Sequence, residues 1–190
     1  MVSPASEKVL FAKVGWMRFY EDVRPDDPAP NNGGGHNRRY VGSEILNFKE
    51  HGGEYFAYFR PKRSFVNLQR LDQSVRPRSD SLSGVTVVFV APHPNGGVYP
   101  IGWYGQATVF SSHRERPTAL HTKSLANKEN NYWLSAPVSS SRRIEAEERL
   151  RWPQVRTRKP GAMGQTNHFF PRDQPQSWDW VRPILSRIPG

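Results

Sequence analysis

Apolar residues occur in short runs along the 190-residue chain, and their spacing predicts mostly β-strands. The run GVTVVFVA at 84–91 is apolar on both faces, which is typical of a central buried strand. An Asn-Gly turn follows it, and IGWYGQATVF at 101–110 returns as the next strand. These two segments predict a central hairpin. Further strands are predicted at 8–17, 54–61 and 129–137, and the segment 64–72 is expected to pair with the strand at 54–61.

Helical patterns are fewer. The segment 141–152 has helix-forming composition with mixed charges, and 177–188 has apolar residues at helical spacing behind Ser177. Pro183 predicts that this last helix is kinked or begins late. The segment 24–40 is rich in Pro, Asp, Asn and Gly and predicts a long loop. Many strands with few helices favour one β-rich α+β domain over residues 1–190, built as a small, twisted, partly closed β-barrel with flanking helices.

Composition narrows the class of protein. The mean hydropathy is −0.74, yet 12% of the residues are aromatic, which argues for a folded chain. The longest apolar run is too short to cross a bilayer, and the N-terminus has no secretory signal. The chain has no cysteine, which excludes disulfides and zinc–cysteine clusters. We therefore expect a cytoplasmic protein without a membrane partner.

The charge points to a polyanionic partner. The formal net charge is +10, and arginine accounts for most of the basic excess. Guanidinium groups favour bidentate contacts with phosphate, so nucleic acid is the leading candidate partner. A soluble basic protein with no such partner is the alternative. Candidate phosphate-binding residues flank the aromatic strand at 54–61 or lie in the basic stretch 142–159: Arg38, Arg39, Arg60, Lys62, Arg63, Arg142 and Arg143.

Catalytic patterns are missing from the sequence. It contains no Asp-x-Lys or Glu-x-Lys triplet, no Gly-x-Ser-x-Gly elbow and no phosphate-binding Gly-Lys-Ser/Thr loop. The six histidines are scattered, without the i, i+2 or i, i+4 spacing of metal ligands. We therefore expect a binding module that is not an enzyme and that uses no metal or cofactor.

Two glycine–tryptophan pairs suggest a binding surface. They occur in GWMRFY at 15–20 and in GWYGQATVF at 102–110. Trp103 and Tyr104 point to opposite faces of their strand, and Gly102 and Gly105 leave room for a flat ligand or for another backbone. The two tryptophans are either core residues or walls of a pocket that holds a planar ring. The positive charge favours the pocket.

Six motifs in order resemble a known family. They are VLFAKVGWMRFY, GGGHN, EILNF, YFAYFRP with VNLQRLD, VTVVFVA with IGWYGQATVF, and GQTNHFFP. Together they resemble the N-terminal domain found ahead of HNH nuclease domains in bacterial modification-dependent (type IV) restriction endonucleases. That domain is similar to the EVE and YTH members of the PUA superfamily, which are small β-barrels that take a modified base into an aromatic cage.

The resemblance implies a reader of modified DNA, with modified cytosine as the expected base. The base would be flipped, stacked between aromatic rings and tested at its edge by side-chain amides. The cage candidates are Trp16, Tyr20, Trp103 and Tyr104, and the amide candidates are Asn37, Asn47, Gln165 and Asn167. The family's HNH motif has no counterpart in the sequence, so we expect the nuclease domain in a C-terminal segment outside these residues.

Two other functions are consistent with the same residues. The first is an RNA-binding module, or a reader of modified RNA, with a similar barrel. The second is an enzyme that acts on a flipped base, such as a glycosylase, which needs a carboxylate near the cage. Glu21 and Glu44 are the acidic residues closest to the motifs.

Overall fold

The computed structural model describes residues 7–28, 30, 42–61, 64–125, 130–158 and 160–189, and its strands belong to one sheet. The strands are β1 (Val9–Lys13), β2 (Glu50–His51), β3 (Glu54–Ala57), β4 (Ser81–Pro92), β5 (Val98–Glu115), β6 (Asn131–Pro137), β7 (Ser141–Arg143) and β8 (His168–Phe169). The one α-helix of the described residues is α1 (Trp178–Leu185). The β-rich α+β class predicted from the sequence is confirmed.

The strand order is β2-β3-β6-β5-β4-β1-β8, and β7 pairs with β5 outside this path. β1 runs parallel to β4, with Val9 opposite Thr86 and Lys13 opposite Val90. The other pairs are antiparallel. Both β2 and β8, at the ends of the order, have two residues, which is a common way of limiting an exposed sheet edge.

The predicted central hairpin is confirmed as β4 and β5. Its turn is closed by the N–H of His93, which donates to the Gly97 carbonyl at 2.9 Å. β5 continues past the predicted end and pairs with β6 from Thr108 to Glu115. A single long strand therefore links the two halves of the sheet.

The core has two layers because side chains alternate along the strands. Leu10, Phe89 and Ile101 belong to the inner layer, on one face of the sheet. Phe11 and Val90 belong to the outer layer, on the opposite face, where α1 packs. The predicted C-terminal helix is confirmed, and its buried side chains are Trp178, Trp180, Val181 and Ile184. Within the described residues, no helix has the length and apolar character needed to span a membrane.

The segment that follows β3 comes close to the edge strand β8. Phe59 follows β3, near one end of the strand order, and its ring centroid lies 6.4 Å from that of Trp133 in β6. The same ring lies 5.8 Å from His168 in β8, at the other end of the order. This approach creates a seam between the segment after β3 and the edge strand β8.

Two predicted elements differ from the structure. The segment 64–72 forms no strand but a 3-10 turn, Leu68–Arg70, where the Asn67 side chain accepts a hydrogen bond from the Gln69 N–H. The segment 141–152 is not a helix, since it begins with β7 and ends with the 3-10 turn Arg149–Arg151. Pairing of β7 with β5 overrides the helical composition of this segment.

Candidate nucleic-acid interface

Two of the four predicted cage residues belong to the core. Tyr20 and Tyr104 are both 0% exposed in the inner layer. The Tyr20 hydroxyl donates to the Gly15 carbonyl at 2.6 Å, and the Tyr104 hydroxyl donates to the Asn47 carbonyl. Burial raises the pKa of both phenols above the ordinary value. Because their rings have no open face, the cage prediction is wrong for these two residues in this conformation.

The two tryptophans have different ring neighbours. Trp103 is 5% exposed and faces the side of the sheet opposite Tyr104, with its ring centroid 5.7 Å from that of Trp152. Trp16 is half-buried, with the Arg149 guanidinium 5.0 Å from its ring centroid and the His93 ring at 4.7 Å. The structure does not bring the four predicted aromatics together around one cavity.

The glycines beside Trp103 and Tyr104 admit another backbone. A Cβ added at Gly102 would collide with the Phe48 ring and would lie 2.7 Å from the Arg142 carbonyl oxygen, and one added at Gly105 would collide with the Ser140 carbonyl oxygen. The sequence left two uses open for this space, a flat ligand or another backbone. In the structure, another backbone packs against both glycines. The glycines let β7 and the turn before it approach β5.

Opposite charges hold the irregular segment 15–20 in place. The carboxylate of Asp27 accepts hydrogen bonds from the N–H groups of Arg18 and Phe19, at 2.6 and 2.7 Å. Arg149 is 0% exposed and donates to the carbonyls of Met17, Arg18 and Ile144. Buried backbone groups that no strand satisfies are thus paired by two charged side chains.

Asn47 has a structural role. Its side chain is fully buried, and its Nδ2 donates to the Tyr58 carbonyl at 2.9 Å while its Oδ1 accepts from the Tyr58 N–H at 2.8 Å. The amide therefore joins the 3-10 turn Ser43–Leu46 to the segment after β3, much as a neighbouring strand would. Since both of its polar atoms are occupied, Asn47 is removed from the base-reading candidates.

The predicted phosphate-binding arginines near β7 already have acidic partners. Arg143 lies 3.0 Å from Glu145, and Arg142 lies 3.5 Å from Glu148. Arg142 and Glu148 are both half-exposed, so phosphate can compete with Glu148 for Arg142 at the surface. The Arg143 side chain is only 16% exposed and also donates to the Arg18 carbonyl, so it is less accessible. A phosphate-binding role for these two arginines stays a prediction.

A pocket at the seam of the sheet brings three other predicted residues together. Its volume is about 710 Å³, and we call it the edge pocket. Its lining residues are Arg60, Pro61, Arg70, Ala162, Met163, Gln165, Thr166, Asn167, His168, Phe169, Phe170 and Gln174. Gln165 and Asn167 were predicted to read a base edge, and Arg60 to bind phosphate. They reach one site because the segment after β3 meets β8.

Some of the polar side chains that line the edge pocket have no partner among the described residues. The side-chain amides of Gln165 and Asn167 are exposed and have no hydrogen-bond partner in the described part of the chain. Arg60 is exposed too and forms no ion pair with any described residue. Arg70, by contrast, is held by Asp173 at 2.5 Å and lies 4.3 Å from the Phe170 ring centroid. The pocket thus combines a fixed cation with unoccupied donors and acceptors.

The imidazole of His168 also lines this pocket. Its ring lies 5.4 Å from Phe170, and its Nδ1 is buried without a hydrogen-bond partner among the described residues. Burial first, and then the positive charge of Arg70, lower the pKa of His168 below the ordinary value of 6.5. The imidazole is therefore neutral at pH 7 and can present a flat, uncharged face.

This lowered pKa predicts how stability depends on pH. As the pH falls through about 6.5, His168 takes up its proton in the unfolded chain before it does so in the folded one, so the free energy of unfolding decreases. We expect His168→Gln to lose part of this decrease in denaturant titrations between about pH 7.5 and 5. Parallel curves for wild type and variant would contradict the burial of a neutral imidazole.

The remaining predicted residues lie outside the described part of the chain. They are Asn37, Arg38, Arg39, Lys62 and Arg63. Lys62 and Arg63 directly follow Pro61 of the edge pocket in the sequence. Among the residues that the structure does describe, no group of three or more His, Cys, Asp or Glu side chains is placed to hold a metal ion.

Several residues of the interface were not singled out from the sequence. Arg70 and His168 lie within quoted motifs, VNLQRLD and GQTNHFFP, but nothing in the spacing of these motifs indicates that they meet. Arg116 was missed as well: it is buried, donates to the Phe56 and Ser43 carbonyls, and burial lowers its pKa to about 10. Its neighbours in the sequence, SSHRERP at 111–117, are mostly polar, so the local pattern gives no signal that Arg116 is buried.

Comparisons of the chain with protein-family models, with curated proteins and with solved structures give no match.

Proposed function

We propose that the chain binds DNA that carries a modified base and holds the flipped base in the edge pocket. The observation that carries this proposal is the convergence of Gln165, Asn167 and Arg60 on one concave site beside aromatic rings. Free amides, a free guanidinium and flat apolar walls are the groups that recognise a nucleotide. The net charge of +10 supplies the attraction for a polyanion.

Each part of the pocket has a task in this proposal. Gln165 and Asn167 offer donors and acceptors to the Watson–Crick edge, and the neutral ring of His168 offers a stacking surface. Arg60 and Arg70 bind the phosphates beside the flipped nucleotide. Flipping costs a few kcal/mol and one aromatic stack returns about 1–3 kcal/mol, so the amide contacts are needed to make binding favourable.

The volume of the pocket supports a ligand larger than a bare base. At about 710 Å³ it lies well inside the range of sites that enclose drug-sized molecules. A space of this size admits a whole nucleotide, with or without a substituent on the pyrimidine ring. We propose that the base is a modified cytosine. We also propose that the sheet forms a partly closed PUA-like barrel. In this proposal the chain is the specificity module of a modification-dependent restriction endonuclease.

A base-excising enzyme is less well supported. Glycosidic hydrolysis needs a carboxylate beside the flipped nucleotide, and the lining residues that the structure describes include no Asp or Glu. Glu44, the candidate from the sequence, is 7% exposed, and its negative charge acts on the buried guanidinium of Arg116. A reader is therefore the function that the edge pocket favours.

The test is a fluorescence-anisotropy titration at about 150 mM salt. One duplex sequence carries cytosine, 5-methylcytosine, 5-hydroxymethylcytosine or phosphorothioate, and a matching RNA competes. A preference of about tenfold or more, ~1.4 kcal/mol, for one modified duplex is expected. Equal binding to every duplex would contradict the proposal, and preferential displacement by RNA would assign the pocket to RNA.

Removing the two free amides is expected to abolish selectivity. The double variant Gln165→Ala/Asn167→Ala loses up to two hydrogen bonds to the base edge, about 0.5–1.5 kcal/mol each. We expect about tenfold weaker binding of the preferred modified duplex, unchanged binding of the unmodified duplex and an unchanged melting temperature.

The matched control is Asn95→Ala, which removes an exposed amide from the β4–β5 turn, remote in sequence from the lining residues. This variant is expected to bind both duplexes like wild type. If the double variant weakens both duplexes equally, the amides are not reading the base.

A further inference from the structure

Phe65 is an unusually exposed aromatic residue. It is 53% exposed, and among the large apolar side chains of the described residues only Leu150, at 52%, is comparable. A single exposed apolar residue is common on protein surfaces. The position and the backbone of Phe65 are what distinguish it.

The backbone around Phe65 is fixed in a way that keeps the ring outside. Ser64 adopts φ of +51°, a left-handed conformation that is uncommon for residues other than glycine. On the other side, the Val66 N–H donates to the Ser111 carbonyl at 2.9 Å, and Val66 is buried in the inner layer. The chain therefore enters the core directly after Phe65, and the phenyl ring is left at the surface.

Phe65 lies in the sequence between residues that line the edge pocket. Arg60 and Pro61 line the pocket before Phe65, and Arg70 lines it afterwards. Phe65 is the fourth residue after Pro61, so their Cα atoms are at most about 14 Å apart. The neighbours Lys62 and Arg63 are basic in sequence, which suits a segment lying against a nucleic-acid backbone.

We propose that Phe65 inserts into the base stack of the duplex and fills the gap left by the flipped nucleotide. This inference rests on the proposed function and adds the residue that stabilises the extruded state. Apolar side chains inserted between base steps are a known means of unstacking DNA. An exposed aromatic ring close in sequence to the lining residues can restore part of the stacking that the departed base removes.

The experiment measures flipping directly, with 2-aminopurine placed next to the modified base. Wild type, Phe65→Ala, Phe65→Trp and Leu150→Ala are compared on the duplex series described above. We expect Phe65→Ala to bind the preferred modified duplex about 5- to 100-fold more weakly and to lose most of the 2-aminopurine signal. Phe65→Trp retains both properties, and Leu150→Ala, the equally exposed control, behaves like wild type.

A second substrate separates insertion from simple contact. When the same modified base is placed in a single-nucleotide bulge, no base pair has to open and no gap has to be filled. Phe65→Ala is then expected to bind within about twofold of wild type. An equal loss on the bulge would overturn the proposal, as would a change in oligomeric state that alone explains the weaker binding.

The outcomes distinguish this inference from the proposed function. If wild type prefers a modified duplex and Phe65→Ala matches Leu150→Ala, the insertion proposal is overturned and the reader remains. If wild type has no preference for any modified duplex, the proposed function fails and the insertion proposal fails with it.

Discussion

Arg149→Ala is expected to lower the free energy of unfolding by about 3–5 kcal/mol. The side chain is fully buried, and its guanidinium donates to three backbone carbonyls, those of Met17, Arg18 and Ile144. Removing it takes the guanidinium donors from the buried carbonyls of Met17 and Ile144, at a cost of about 1–3 kcal/mol each, and these costs do not add fully. The Arg18 carbonyl keeps a hydrogen bond from Arg143 at 3.0 Å. The contacts with the rings of Trp16 and Tyr20 are lost as well.

The loss is expected to be large because no strand supports segment 15–20. Asp27 pairs the N–H groups of Arg18 and Phe19, and Arg149 pairs the carbonyls of Met17 and Arg18. Without Arg149, Asp27 also becomes a buried carboxylate with less positive charge nearby. For a domain of ordinary stability, such a loss is a large part of the total.

Arg151→Ala is the matched control, since Arg151 is exposed and two residues away in the same 3-10 turn. It is expected to change the free energy of unfolding by less than about 0.5 kcal/mol. Denaturant titration followed by tryptophan fluorescence measures both variants. If Arg149→Ala were as mild as Arg151→Ala, the three carbonyls would have another source of hydrogen bonds, and the role of Arg149 would be disproved.

The strands and the C-terminal helix could be predicted from periodicity, because their burial depends on residues close in sequence. GVTVVFVA is apolar on both faces and lies in β4 between two core layers. The segment 141–152 was misread because its glutamates and arginines suit a helix in isolation. Its actual conformation depends on Gly102, which admits β7, and on the burial of Arg149. Neither contact is visible within the segment.

The residues of the candidate site could be predicted from the sequence only in part. Residue type identified Gln165 and Asn167 as amides in a polar loop, and the structure places both in the edge pocket. The same criterion selected Asn47, whose partner Tyr58 is 11 residues away along the chain, and Tyr104, whose hydroxyl reaches the Asn47 carbonyl across 57 residues. Whether an amide or a ring is free depends on these distant partners, and composition carries no information about them.

Asn47→Ala is expected to destabilise the protein by about 2–4 kcal/mol. The substitution removes the two hydrogen bonds that the Asn47 side chain forms with the N–H and the carbonyl of Tyr58, in a region where Asn47 itself is fully buried. The 3-10 turn Ser43–Leu46 would lose its link to the segment after β3, which leads to Arg60 and the edge pocket. Thermal and denaturant unfolding measure the loss. DNA selectivity, measured at a temperature where the variant is folded, is expected to be retained.

Asn167→Ala is expected to give the opposite result to Asn47→Ala, with stability retained and selectivity weakened. Its side chain is exposed and has no partner among the described residues, so the free energy of unfolding is expected to change by less than about 0.5 kcal/mol. Its binding of the preferred modified duplex is expected to weaken by a few-fold, the worth of one hydrogen bond. Stability lost only at Asn47 and selectivity lost only at Asn167 would separate the structural amide from the reading amide. If Asn47→Ala instead lost selectivity without losing stability, the binding site would lie in the inner layer, beside Tyr104, and not in the edge pocket.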